Sequence, residues 1–113
     1  MHEMSLCSGL REIIEEQPRL QHFSRVLRVR LEMGALAGVE SAALRFGFAV
    51  IMHHTLVQGA ALKIIALPGQ AWCPDCAQPI RIQRWFAPCP RCGGYALQVK
   101  GGDELRIKDL EVE

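Results

Sequence analysis

Residues 72–94 read W-C-P-D-C-A-Q-P-I-R-I-Q-R-W-F-A-P-C-P-R-C-G-G, and the cysteines within them, Cys73, Cys76, Cys89 and Cys92, decide how this part of the chain folds. Each Cys-x-x-Cys pair can bend its two sulfurs toward one ion about 2.3 Å away. The twelve residues between Cys76 and Cys89 are enough for the chain to return as a hairpin. The pattern predicts a zinc-ribbon-like four-cysteine module in which Zn(2+) is structural, because four protein thiolates leave no coordination position for water or substrate. All-thiolate iron, a redox dithiol and disulfides are lesser readings; a redox motif accounts for one pair and leaves the other idle. Gly93 and Gly94 supply the backbone freedom that the second knuckle needs.

Pro68-Gly69 and Gly101-Gly102 bracket this module, so it is assigned residues 69–102. Trp72, Trp85 and Phe86 are expected to form its miniature core rather than a base-stacking surface. Arg81, Arg84, Arg91 and Lys100, set against Asp75 and a doubly negative tetrathiolate zinc, leave it close to neutral. A nucleic-acid-binding or regulatory zinc ribbon is therefore the alternative and not the leading reading.

Outward from the module, periodicity supplies the remaining elements. Leu6, Cys7, Leu10, Ile13 and Ile14 recur at helical steps, predicting an amphipathic helix that stops near Pro18, with Cys7 on its buried stripe. Leu27, Val29, Leu31 and Met33 alternate with Arg28, Arg30 and Glu32, predicting a strand with one wet face. A second helix runs from Glu40 to near His53-His54, residues 61–67 form a short strand, and residues 105–112 form a last strand whose alternation slips at Asp109. The last strand needs a sheet to join, and is expected beside residues 25–33 or 61–67. The fold class is α+β: residues 1–68 plus 103–113 form two helices on a three-stranded sheet, and the zinc module is an insertion.

Half of the 113 residues are hydrophobic and 22% are charged, with a formal net charge of +1, so no global field favours nucleic acid or an anionic membrane. The start M-H-E-M-S-L-C-S-G-L-R-E-I-I-E has neither a basic leader nor a continuous apolar stretch, and the apolar run at 46–52 is far below a membrane span. A cytoplasmic protein without membrane association is expected. No nucleophile–base unit and no phosphate-cradling loop is present, which argues against an enzyme.

Met1-His2-Glu3 offers an imidazole, an α-amine and ionisable amides within three residues, donors able to lie in a plane around nickel(II) or copper(II). A histidine in second position also disfavours removal of Met1. His53-His54 could extend a metal relay, though adjacent polar residues closing a helix more often serve its carbonyls or solvent.

The opening M-H-E-M-S-L-C, the segment L-E-M-G-A-L-A-G-V-E ending at Glu40, A-W-C-P-D-C and C-P-R-C-G-G together resemble the HypA/HybF hydrogenase nickel-incorporation proteins, and the likeness extends through the terminal L-R-I-K-D-L-E-V-E. The resemblance implies a metallochaperone that carries Ni(2+) as cargo at its amino terminus and helps insert it into the large subunit of [NiFe] hydrogenase, with a HypB-type GTPase as partner. It places nickel on His2 with support from Glu3, puts Met1 and Glu40 near that ion, and maps the zinc ligands onto Cys73, Cys76, Cys89 and Cys92. Glu40 has a second reading, as negative charge at a helix N-terminus. The protein is expected to be a monomer or homodimer.

Overall fold

A computed structural model describes residues 3–113; Met1 and His2 lie outside the described residues. The elements are α1 (Glu3–Gln21), β1 (Val26–Gly34), α2 (Ser41–Ile51), β2 (Ala61–Leu67), β3 (Gly69–Cys73), β4 (Gln78–Ile82), β5 (Gln98–Gly101) and β6 (Leu105–Val112). By contacts they divide into two compact units, one of Met1–Leu31, Val39–Ile64 and Ile107–Glu113, the other of Glu32–Gly38 and Ile65–Arg106. The division falls inside β1, β2 and β6, and residues 69–102 lie within the second unit.

In the first unit α1 and α2 pack through small groups. Cys7 Sγ lies 3.5 Å from the Leu44 carbonyl. A Cβ placed on Gly47 would sit 3.0 Å from Met4 Sδ and 3.2 Å from Cys7 Sγ, so glycine here leaves the two sulfurs an uncrowded contact with α2. Cys7 is fully buried beside Leu10, Ile14, Val26, Val29, Leu31, Leu44, Phe48, Met52 and Val57. Burial, with Glu3 second, pushes its thiol up, so it packs as a small inert hydrophobe. Helix α1 passes the expected stop at Pro18 and runs to Gln21, where His22 adopts a left-handed φ of 55°. Proline removes its own N–H but not those that follow, so near a helix end it costs one hydrogen bond while the left-handed residue makes the actual break.

Strand β1 occupies the centre of the order β2-β1-β6, which selects β1 as the partner of β6. Glu113 N donates to Arg25 O (2.9 Å) and Gly34 N to Glu104 O (2.9 Å), the pattern of an antiparallel pair. Val26 N donates to Leu56 O and Ala35 N to Leu67 O, so β2 runs parallel to β1 after the α2 crossover. Alternation in β1 holds from Val29 to Glu32; Met33, predicted on the apolar face, is only half-buried, like Glu32 before it. At its start Val26 is buried and Leu27 is exposed, the reverse of the predicted phase, with Val26 N tied to Leu56.

Register between β1 and β6 is written in charge. Arg28 faces Glu111 at 3.7 Å, Arg30 grips Asp109 through both Nε and a terminal nitrogen, and Glu32 accepts from Arg106 at 3.0 Å. A one-residue slip would break all three pairs and turn the apolar face to water. Arg30 pairs with Asp109 where the alternation of β6 slips, and its hydrogen bond holds the Asp109 carboxyl below the usual range.

The second sheet has order β4-β3-β5, both pairs antiparallel. Gly69 pairs with Ile82 and Cys73 with Gln78, and the β3–β5 register shifts between Gln70 and Ala71. No turn forms at Pro68-Gly69: β2 ends at Leu67 and β3 begins at Gly69, since a proline without an N–H interrupts a ladder without reversing the chain.

Candidate metal centre

Strand β3 delivers Cys73 at its end, and the following turn, with Ala77 at φ 52°, brings Cys76 back toward it; the Cys76 N–H points at Cys73 Sγ (3.5 Å). In the second knuckle Cys89 N donates to Gly94 O and Gly93 N to Cys89 O, each at 2.8 Å, with Gly93 at φ 73°. A Cβ on Gly94 would lie 3.4 Å from Cys92 Sγ and 3.3 Å from Asp75 Oδ2, so this glycine lets the backbone close over the sulfur.

The four Sγ atoms lie within 4.8 Å of one another. Cys73 and Cys92 sulfurs are 3.7 Å apart, those of Cys76 and Cys89 3.9 Å. A tetrahedron with metal–sulfur bonds of about 2.3 Å has edges of about 3.8 Å. The cluster therefore fits zinc, and these four residues would hold it with every position filled. Their proton affinities diverge: the Cys92 amide leads in bringing Cys89 down to about 7, whereas burial, followed by hydrogen bonding to Cys92, pushes Cys76 up to about 12. The Gly94 amide pulls Cys92 down, but the neighbouring thiols and burial outweigh it and the net shift is upward. Four thiolates do not coexist here at neutral pH without a cation to neutralise them.

The module's core is Leu36, Ala71, Cys73, Ile80, Ile82 and Cys89. The aromatic core expected from Trp72, Trp85 and Phe86 is not what forms. All three are exposed, Phe86 at 88%, because two ligand cysteines and short aliphatics already fill the small interior. Trp85 instead donates its indole N–H to Leu36 O at 2.8 Å, a contact between sequence-distant residues that periodicity does not signal.

Among the other predicted site residues, Glu3 is half-buried and opens α1. Met1 and His2 lie outside the described residues. Glu40 is the N-cap of α2: its carboxylate accepts from Ala42 N (3.2 Å) and Ala43 N (2.6 Å). Replacing it tests that role. Glu40→Ala is expected to lower unfolding free energy by about 1 kcal/mol, and Glu40→Gln, which keeps an acceptor, by less than half of that. Equal stability of all three proteins in a denaturant titration would show that the cap contributes nothing. Among the described residues, the group of three or more His, Cys, Asp or Glu side chains able to share an ion is the cysteine quartet.

A family model described as hydrogenase/urease nickel incorporation, metallochaperone, hypA matches residues 1–112. The chain is 58% identical over 113 residues to the hydrogenase maturation factor HypA of Alkalilimnicola ehrlichii, covering 100% of both chains. It is 56% identical over 112 residues to that of Rhodobacter capsulatus, covering 99% of each. The solution structure of the Ni metallochaperone HypA from Helicobacter pylori superposes with a TM-score of 0.71 at 24% identity, covering 99% of this chain and 97% of that one, a likeness of fold. Matched along its length, this chain belongs to the HypA family of hydrogenase nickel-incorporation metallochaperones, carriers of a metal ion rather than enzymes.

Proposed function

We propose that this protein binds nickel(II) at its amino terminus and passes it to the large subunit of [NiFe] hydrogenase, with a HypB-type GTPase supplying the nucleotide-driven step. His2 provides the anchoring imidazole, and the Met1 amine and the His2 and Glu3 amides provide further nitrogen donors. The Glu3 carboxylate positions them. Residues 1–68 with 103–113 act as the nickel-handling part, and residues 69–102 hold a structural zinc. The protein works in the cytoplasm, as a monomer or homodimer, without membrane or nucleic acid.

The observation that carries this reading is the closed cysteine quartet in a member of a nickel-incorporation family. A tetrahedral site with four protein sulfurs has no room for cargo, so nickel needs nitrogen donors elsewhere. A short, exposed donor set exchanges stepwise with an acceptor's ligands, which suits transfer over storage. Each donor gives up a proton on binding, so nickel affinity weakens as pH falls.

Titration of zinc-loaded protein with nickel tests the site. His2→Ala, and separately an amino-terminal extension, should each weaken binding by more than the roughly 10–100-fold that loss of an outer-shell partner costs, with zinc content unchanged. Equal affinity in all three proteins would remove the site. One observation favours a second reading: Trp85, Phe86 and Tyr95 are exposed on a module that also exposes Arg84 and Arg91, as in surfaces that stack bases. That reading requires association with RNA or DNA that weakens steeply with salt.

A further inference from the structure

Adjacent side chains normally diverge, by about 100° around a helix and to opposite faces of a strand. His53 and His54 do not. Their ring centroids are 3.8 Å apart with planes inclined by 51°, and both residues are exposed. The cause lies in the backbone: His54 has φ 62°, a left-handed conformation uncommon outside glycine, which swings its ring back over that of His53.

The turn holding this pair is fixed by hydrogen bonds. His54 N donates to Gln58 Oε1 (2.6 Å), Thr55 Oγ1 to Met52 O (2.7 Å), and Val57 N to Thr55 Oγ1 (3.1 Å). The rings are therefore juxtaposed before any ligand arrives. Two juxtaposed imidazoles present nitrogen donors suited to nickel(II), copper(II) or zinc(II), and they offer nothing to magnesium or calcium.

Cys7 meets α2 at Leu44, whereas Met4 and the Glu3 carbonyl meet it at Gly47, so α1 runs antiparallel to α2 and its beginning is directed toward the end that carries His53. We propose that His53 and His54 form a second, weaker nickel(II) site. It rests on the amino-terminal reading only for the identity of the cargo.

The test uses full-length, zinc-loaded protein carrying His2→Ala, so that the second site is read with the amino-terminal imidazole removed. Sub-stoichiometric nickel(II) should broaden the His53 and His54 ring proton resonances together, at concentrations at least about tenfold below those affecting His22, a lone exposed histidine that serves as internal control. Either His53→Ala or His54→Asn, the latter tolerant of the left-handed backbone, should return the remaining ring to the level of His22. Broadening of both rings only in step with His22, or a His54 response unaltered by His53→Ala, would overturn the proposal. Failure of the His2 titration leaves this result readable, since His2 is absent from the protein used.

Discussion

Removing zinc from the purified protein is expected to abolish amide-exchange protection across β3, β4 and β5 while the α1/α2 core of the first unit stays protected. The second unit's buried cluster holds only six residues, and two of them, Cys73 and Cys89, belong to the quartet that would hold zinc. An interior that small does not offset the conformational entropy of ordering a ribbon, whereas structural zinc supplies about 10–16 kcal/mol in comparable small modules. Among its described residues the first unit buries ten hydrophobic side chains from Cys7 to Val57, none of which belongs to the cysteine quartet. Cys73→Ser and Cys89→Ser should each reproduce the effect without chelator, as both replace a buried ligand. Acid should act in the same direction. Protons compete for the thiolates, so zinc affinity and ribbon order fall as pH falls. Retained protection in β3–β5 of the zinc-free protein would contradict the structural role.

The second large effect concerns a glycine crossing in the second unit. A Cβ on Gly34 would lie 2.1 Å from Gly102 O and 2.4 Å from its carbonyl carbon, both backbone atoms that cannot rotate away. Gly102 has φ 84°, and a Cβ there would meet Gly69 Cα and Pro68 O at 2.5 Å. Leu36 N donates to that same Gly102 carbonyl at 2.8 Å, and Gly34 N to Glu104 O at 2.9 Å, so relieving the clash breaks hydrogen bonds. Gly34→Ala is expected to cost about 3–5 kcal/mol, above the usual range for one added methyl because the neighbour is backbone. Gly9→Ala, in the middle of α1 with nothing within 4 Å, should instead stabilise by about 0.5–1 kcal/mol. Denaturant unfolding of the zinc-loaded proteins separates the two. A Gly34→Ala protein within about 0.5 kcal/mol of its parent would refute the close crossing.

Those contacts also show where sequence reading reaches its limit. The cysteine quartet was legible because ligand spacing is dictated by the ion, a constraint local in sequence. Strand β2 at 61–67 and the span of β6 were legible from composition and alternation, and Glu40 from the preference of a helix start for negative charge. The pairing of β6 was not: either edge of a small sheet suits an alternating strand, and the deciding Arg28, Arg30 and Glu32 pairs are matched only once the register is known. Aromatic residues near a metal site suggest a core by their size alone, yet whether they fit depends on how much volume the ligands already occupy. The glycine crossing and the facing histidines escape for a common reason. A glycine's neighbour across space and the sign of φ at His54 are products of tertiary packing, and neither leaves a periodic trace.

Cargo and scaffold ions are proposed to occupy chemically different sites, nitrogen donors around His2 for nickel and the sulfur quartet for zinc. X-ray absorption on protein loaded with both metals, recorded at the nickel and the zinc edges, tests it most directly. The expected result, in protein that also carries His53→Ala to remove the second site, is a zinc edge with four sulfur scatterers near about 2.3 Å and a nickel edge with nitrogen and oxygen neighbours whose imidazole scattering is lost in His2→Ala. Nickel bound by sulfur, or a nickel spectrum that His2→Ala leaves unchanged, would contradict it.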